Sequence, residues 1–204
     1  MQQQLIAMLE LQDAMNCKVH PQWREQGYAW HRAIWVESAE LLEHYGWKWW
    51  KKQTPDHDQV ALELVDIWHF GLSMQLQSGA NPADIAQNLA AGLTAPHGPQ
   101  DFNAAVEHFV AKTLMQQGFA VAEFARLMQL SHLSFVRLYS LYVGKNILNF
   151  FRQDHGYKEG TYKKIWQGRE DNEHLIDILA RVDVNATDYK EQIYTALNTA
   201  FMNG

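Results

Sequence analysis

The sequence predicts an all-α protein, a single-domain helical bundle spanning residues 1–204, on three observations. Apolar residues recur three and four apart along most of the chain, the spacing that gathers them on one helix face. No segment keeps the alternation of a half-buried strand over any length. Proline and glycine are scarce, 5 and 12 among 204 residues, so breaks are few. Hydrophobic residues make up 47% and charged residues 20%, enough to bury one core without staples.

The elements follow in order. A first helix covers residues 3–16, with Leu5, Met8, Leu9 and Gln12 on one side, and Val19, His20 and Pro21 end it. A second covers 23–45 and stops near Gly46. Thr54, Pro55 and Asp56 form a turn and open a third helix, which runs to 77. SGANPAD is a turn and a fresh helix start, and GLTAPHGPQ is a long crossing loop. Helices resume over 102–117, again from 121, and over 131–152. QDHGYKEGTYKKIWQGRED, rich in glycine and charge, is expected to be a mobile loop, and helices over 172–181 and 187–202 close the chain.

Composition excludes several classes. No apolar run approaches the ~20 residues that cross a bilayer. The start, MQQQLIAMLELQ, lacks the basic region and cleavage site of a signal peptide. One cysteine, Cys17, allows neither an internal disulfide nor a cysteine-rich metal site, as suits a reducing, cytoplasmic setting. A net charge of −6 argues against a general nucleic-acid binder. No nucleic-acid or membrane partner is therefore expected.

The informative stretch is HRAIWVESAELLEHYGWKWWKKQTPDHDQVALELVDIWHF. It holds two acid pairs spaced i,i+3, Glu37 with Glu40 and Glu63 with Asp66. At about 100° per residue, Glu37 falls at the edge of the stripe Trp30, Ile34, Leu41, Tyr45. Glu63 falls within the stripe Ile67, Phe70, Met74, whereas Glu43 points away from the core. A single such pair is ordinarily two solvated acids. Two pairs on the core sides of neighbouring helices are different, because buried carboxylates need a partner or a metal. The stretch has no excess of Arg or Lys to neutralise four acids. Mg²⁺, which takes oxygen ligands and bridges carboxylates to phosphates, would do so. The expected metal site lies between two antiparallel core helices.

A basic segment stands against these acids. Lys145, Asn149 and Arg152 share one helix face, and Lys158, Lys163, Lys164 and Arg169 follow. From Lys145 to Glu170 the chain carries six basic and three acidic residues. Cations at a helix C-terminus explain Arg152 but not the continuation beyond it. A phosphate clamp explains both.

These blocks resemble a known family. ESAE followed by ELVD on adjacent helices is similar to the all-α nucleoside triphosphate pyrophosphohydrolases. Four further blocks resemble the dimeric dUTPases within them: LQDAMN, GWKWWK, ELVDIWHF and the long GKNILNFFRQDHGYKEGTYKKIWQGREDN. They span residues 11 to 172, and none lies between about residues 78 and 131.

The resemblance implies a homodimer that hydrolyses dUTP to dUMP and pyrophosphate, and dUDP also, keeping uracil out of DNA. Glu37, Glu40, Glu63 and Asp66 would hold two or three Mg²⁺ ions, with Mn²⁺ as a substitute. Glu37 would deprotonate the water that attacks the β-phosphorus. Lys145, Asn149, Arg152, Tyr157, Lys164 and Asn172 match positions that close over phosphates and sugar. Gln12 and Asn16 would read the uracil edge, Phe70 would pack on the ring, and His69 and Trp47 would flank the deoxyribose. Two alternatives stand beside this reading: a sibling pyrophosphohydrolase for dCTP or non-standard nucleotides, and a non-catalytic helical interaction module.

Overall fold

The computed structural model describes residues 1–184 and 186–203. Nine α-helices carry the described chain: α1 (Gln2–Val19), α2 (Trp30–Tyr45), α3 (His57–Leu76), α4 (Pro82–Leu93), α5 (Phe102–Gln116), α6 (Val121–Leu130), α7 (Phe135–Asp154), α8 (Asp171–Leu179) and α9 (Tyr189–Met202). Starts are set by local chemistry. Asp56, Asn81, Asp101 and Ser134 each accept a backbone N–H of the first turn of α3, α4, α5 and α7. Glu170 and Glu173 form a reciprocal capping box on α8. None of the described helices is long and apolar enough to cross a membrane.

At the centre, α3 is buried along most of its length, with Leu64, Val65, Ile67, Trp68 and Leu72 fully enclosed. Helices α1, α2 and α7 pack around it. Contacts between α2 and α3 run in opposite order: Trp30 meets Phe70, Glu37 meets Glu63, and the His44 carbonyl accepts from Asp56 N–H. The two helices are therefore an antiparallel hairpin. Gly144 lets α8 lie close on α7, since a Cβ there would sit 2.7 Å from Leu179 Cδ1. That close approach carries Asp171 and Asn172 over the polar end of α7.

Two expectations are corrected. The helix expected over 23–45 is broken: Trp23–Glu25 form a single 3₁₀ turn, Gly27 takes φ +63°, and α2 begins at Trp30. Trp23 is buried in the core, 1% exposed, and its indole N–H donates to Asp13 Oδ1 at 2.9 Å. The segment expected as a mobile loop carries a small hairpin, β1 (Ile165–Trp166) and β2 (Arg169–Glu170), paired antiparallel. Gln167 and Gly168 form its turn with φ +52° and +77°, the two-residue geometry that matches strand twist. Buried Trp166 anchors it, donating to the Lys163 carbonyl at 2.7 Å while the His174 ring meets its own carbonyl. Two-residue strands are too short to leave an alternating pattern.

Candidate active site

The α2–α3 hairpin brings three of the four predicted acids together. Carboxylate oxygens of Glu37, Glu63 and Asp66 lie within 4.8 Å of one another. Glu40, one turn on from Glu37, is exposed and stands at the rim of the same cavity. Burial, with the charges of Asp66 and Glu40 added, pushes the Glu37 carboxyl up to about 7. Burial and Asp66 push Glu63 up to about 8. Lys145 offsets part of this, its Nζ 2.9 Å from Asp66 Oδ2 with the side chain only 4% exposed. One ammonium cannot balance the group, and oxygen donors crowded this way suit a hard divalent cation.

The opposite wall comes from α7 and the start of α8. Arg152 makes a two-pronged ion pair with fully buried Asp171, both contacts 2.8 Å, and Tyr162 adds its hydroxyl at 2.8 Å. Burial alone would raise the Asp171 pKa, but the hydrogen bonds and charge of Arg152 hold it below the usual range. Asn172 Oδ1 accepts from Lys145 at 2.9 Å, and Asn149 Oδ1 from Arg152 at 3.3 Å. The Arg152 guanidinium lies over the Tyr157 ring, 5.8 Å from its centroid. Lys164 is half-exposed and paired with Glu170 at 2.9 Å. Acids, Lys145, Arg152, Tyr157, Lys164 and Asn172 line one cavity of about 630 Å³.

The cavity continues past Glu37, Asp66, Asn149 and Arg152 into an apolar end lined by Gln12, Asn16, Trp30, His69 and Phe70. Here the polar groups are locked. Gln12 Nε2 donates to Asn16 Oδ1 and Ser73 Oγ, both at 3.0 Å. Asn16 Nδ2 donates to the same hydroxyl at 3.0 Å, and Ser73 passes its own proton to the His69 carbonyl. Gln12 Oε1 accepts from His69 Nδ1 at 2.7 Å and faces the Tyr142 hydroxyl at 3.0 Å. His69 therefore carries its proton on Nδ1. Burial pulls its pKa down to about 4, so the ring is neutral. Among the described residues its Nε2 is buried without a partner, as is the indole N–H of Trp30 in the same cavity wall. Buried polar atoms are normally paired. An unpaired acceptor and an unpaired donor in one apolar pocket are what a small polar ring with both functions would fill.

A family model for dUTPase matches residues 4–157. That span is well over half of the chain. The chain belongs to the dimeric, all-α dUTPase family. It is accordingly an enzyme, a dUTP diphosphatase. Comparison with curated proteins finds no match. The family match covers Gln12, Asn16, the four acids, His69, Phe70, Lys145, Asn149, Arg152 and Tyr157. Lys164, Asn172 and the Asp171 anchor lie beyond it, yet the fold of this dUTPase brings all three to the same walls.

Trp47 is the exception among the expected residues. It is 42% exposed, donates to Glu43 at 2.8 Å, and lines no part of the groove. The short turn after α2 carries it to the outer face. The tryptophans at the groove are Trp23 and Trp30, the latter at the start of α2. Other residues at the site escaped the sequence reading. His44 Nε2 stands 3.5 Å from Glu63 Oε1, and Ser73, Tyr142, Tyr162 and Asp171 hold the side chains that line the walls. Ser73, four residues after His69 on the same helix face, was the one signal available.

Proposed function

We propose that the groove hydrolyses dUTP to dUMP and pyrophosphate, and dUDP to dUMP and phosphate, in a Mg²⁺-dependent reaction that keeps uracil out of DNA. One observation carries the reading: a three-carboxylate cluster faces Lys145 and Arg152 in a groove whose far end holds an unpaired acceptor on neutral His69. Glu37, Glu63 and Asp66, with Glu40 at the rim, would hold two or three Mg²⁺ ions, with Mn²⁺ as a substitute. When bound, Mg²⁺ would supply positive charge to the phosphate oxygens and lower the pKa of water at the site.

The chain's own groups do the rest. Glu37, in the cluster beside Glu63 and Asp66, takes the proton of the attacking water. Lys145 and Arg152 hold the phosphate oxygens, and Lys164 and Tyr157 close over them. Asn149 and Asn172 orient the cations and the sugar. Phe70 packs on the base. His69 Nε2 accepts the N3–H of uracil, and the free amide hydrogen of Asn16 and the Trp30 N–H serve its carbonyls. Cytosine presents a lone pair at N3 and is rejected because two acceptors then face each other unpaired. Gln12 acts through His69, fixing which nitrogen carries the proton.

The family match and the apolar trough between α2 and α5, where Trp35 is exposed and Leu42 and Val110 are half-buried, support a homodimer. The decisive experiment measures pyrophosphate release from dUTP, dCTP, dTTP and UTP at equal concentration, with Mg²⁺ and after EDTA. Expected is turnover of dUTP alone at speed, abolished by EDTA and lowered by orders of magnitude in Glu37→Gln and Asp66→Asn. Equal turnover of dCTP would return the chain to a sibling base specificity. Full activity in EDTA would refute the metal reading.

A further inference from the structure

Away from the groove, in the stretch between residues 78 and 131 that holds none of the nucleotide motifs, a second set of ligand-type side chains converges. His97 lies in the loop after α4, His108 on α5 and Glu123 in the first turn of α6. One ligand atom of each lies within 4.8 Å of the others. Glu123 is 2% exposed, and its partner is Lys112, whose Nζ stands 2.5 Å from Oε1. Lys112 and His108 are four apart on α5 and share a face.

The backbone that carries His97 is fixed on both sides. Its N–H donates to the Ala122 carbonyl at 2.9 Å, and the Pro96 carbonyl accepts from Arg126 at 3.4 Å. Gly98, at φ +132°, leaves room beside the His108 ring, since a Cβ there would lie 3.5 Å from His108 Cδ2. The two imidazoles do not stack: their centroids are 6.1 Å apart and the planes inclined by 57°. Two imidazoles and a carboxylate with ligand atoms this close are three Lewis bases that one divalent cation can hold together.

We propose that His97, His108 and Glu123 form a second metal site, for Zn²⁺, that clamps the α4–α5 loop to α5 and α6. Two imidazole nitrogens and a carboxylate are a donor set for zinc, with water completing a tetrahedron. Mg²⁺, which prefers all-oxygen octahedral surroundings, is excluded by the same donors. On binding, Zn²⁺ takes the place of the Lys112 ammonium at Glu123, and the half-exposed Lys112 side chain turns to solvent. The site shares no residue with the nucleotide groove, so it is structural and independent of the reaction.

The full-length enzyme, in excess Mg²⁺ to fill the groove, is titrated with Zn²⁺ against a chromophoric chelator. One zinc equivalent is expected to be withheld from the chelator. His97→Ala and His108→Ala, both at exposed positions, should each weaken retention by at least the roughly tenfold that loss of a ligand's supporting hydrogen bond costs, with dUTP turnover kept. Lys112→Met, which removes the competing ammonium, should tighten it. Glu63→Gln/Asp66→Asn should retain the equivalent, and bound zinc should raise the melting temperature of this variant as of the wild type. Retention unchanged in both histidine variants, or lost in Glu63→Gln/Asp66→Asn, would place the zinc in the groove and overturn the proposal. No retention by the wild type would overturn it as well.

Discussion

Replacing Asp171 by alanine isolates the support on which the phosphate wall rests. Asp171 is fully buried and Arg152 12% exposed in its side chain, with two contacts of 2.8 Å between them. Removing one partner of such a pair leaves the other charge uncompensated, at a cost of about 3–5 kcal/mol. A chain of this size loses roughly 2–4 °C per kcal/mol, so Asp171→Ala should melt about 6–20 °C lower. Arg152 should also lose its fixed direction, raising KM for dUTP more than it lowers kcat. Asp171→Leu with Arg152→Met removes both charges and should recover much of the stability but none of the affinity. The sign with pH is defined. Arg152 depresses the Asp171 pKa, so its stabilisation is present above the ordinary carboxylate range and fades as pH falls through the depressed value. The gap in melting temperature between wild type and Asp171→Ala should therefore narrow in acid. Circular-dichroism melts from neutral pH downward, with initial rates on dUTP, test all three statements. A variant melting within about 2 °C of wild type, in the range of an ordinary surface change, with KM unmoved, would refute the argument.

His69→Phe keeps the packing but removes the acceptor; dUTP turnover should fall and the dUTP-to-dCTP ratio should drop by roughly 5–150-fold, the worth of a buried unpaired group, as a nucleotide panel would reveal. Gln12→Ala should erode the same ratio more than it slows dUTP, because it frees the ring proton to move; an unchanged ratio would remove Gln12 from base selection. Trypsin should cut after Lys158, Lys163 and Lys164 more slowly once a non-hydrolysable dUTP analogue and Mg²⁺ are bound, and equal cutting would argue against closure of this segment. Trp35→Asp should shift the enzyme to monomer in light scattering if the trough beside α5 is the dimer contact; an unaltered mass would move that contact elsewhere.

The all-α class and the acid pairs were legible in the sequence because both depend on spacing along one helix. Periodicity of about 3.6 residues sets the buried face, and Glu63 and Asp66 necessarily follow it into the core side of α3. The polar face of α7 was legible for the same reason: Lys145, Asn149 and Arg152 are one face of one helix. Tertiary structure alone decided which partners those faces meet. Glu40 stands apart from the cluster because a neighbouring turn of α2 looks to solvent. Trp30 rather than Trp47 reaches the groove because a break at Gly27 and a turn after Gly46 redirect the chain, and single φ angles leave little periodic trace. His69 acquires its neutral, unpaired nitrogen only when α1 and α7 bring Gln12 and Tyr142 against it. Asp171 becomes an anchor only because Gly144 lets α8 settle on α7. Spacing along an element is a local property written in the residues; the pairing of distant side chains is set by packing, which no window of sequence contains.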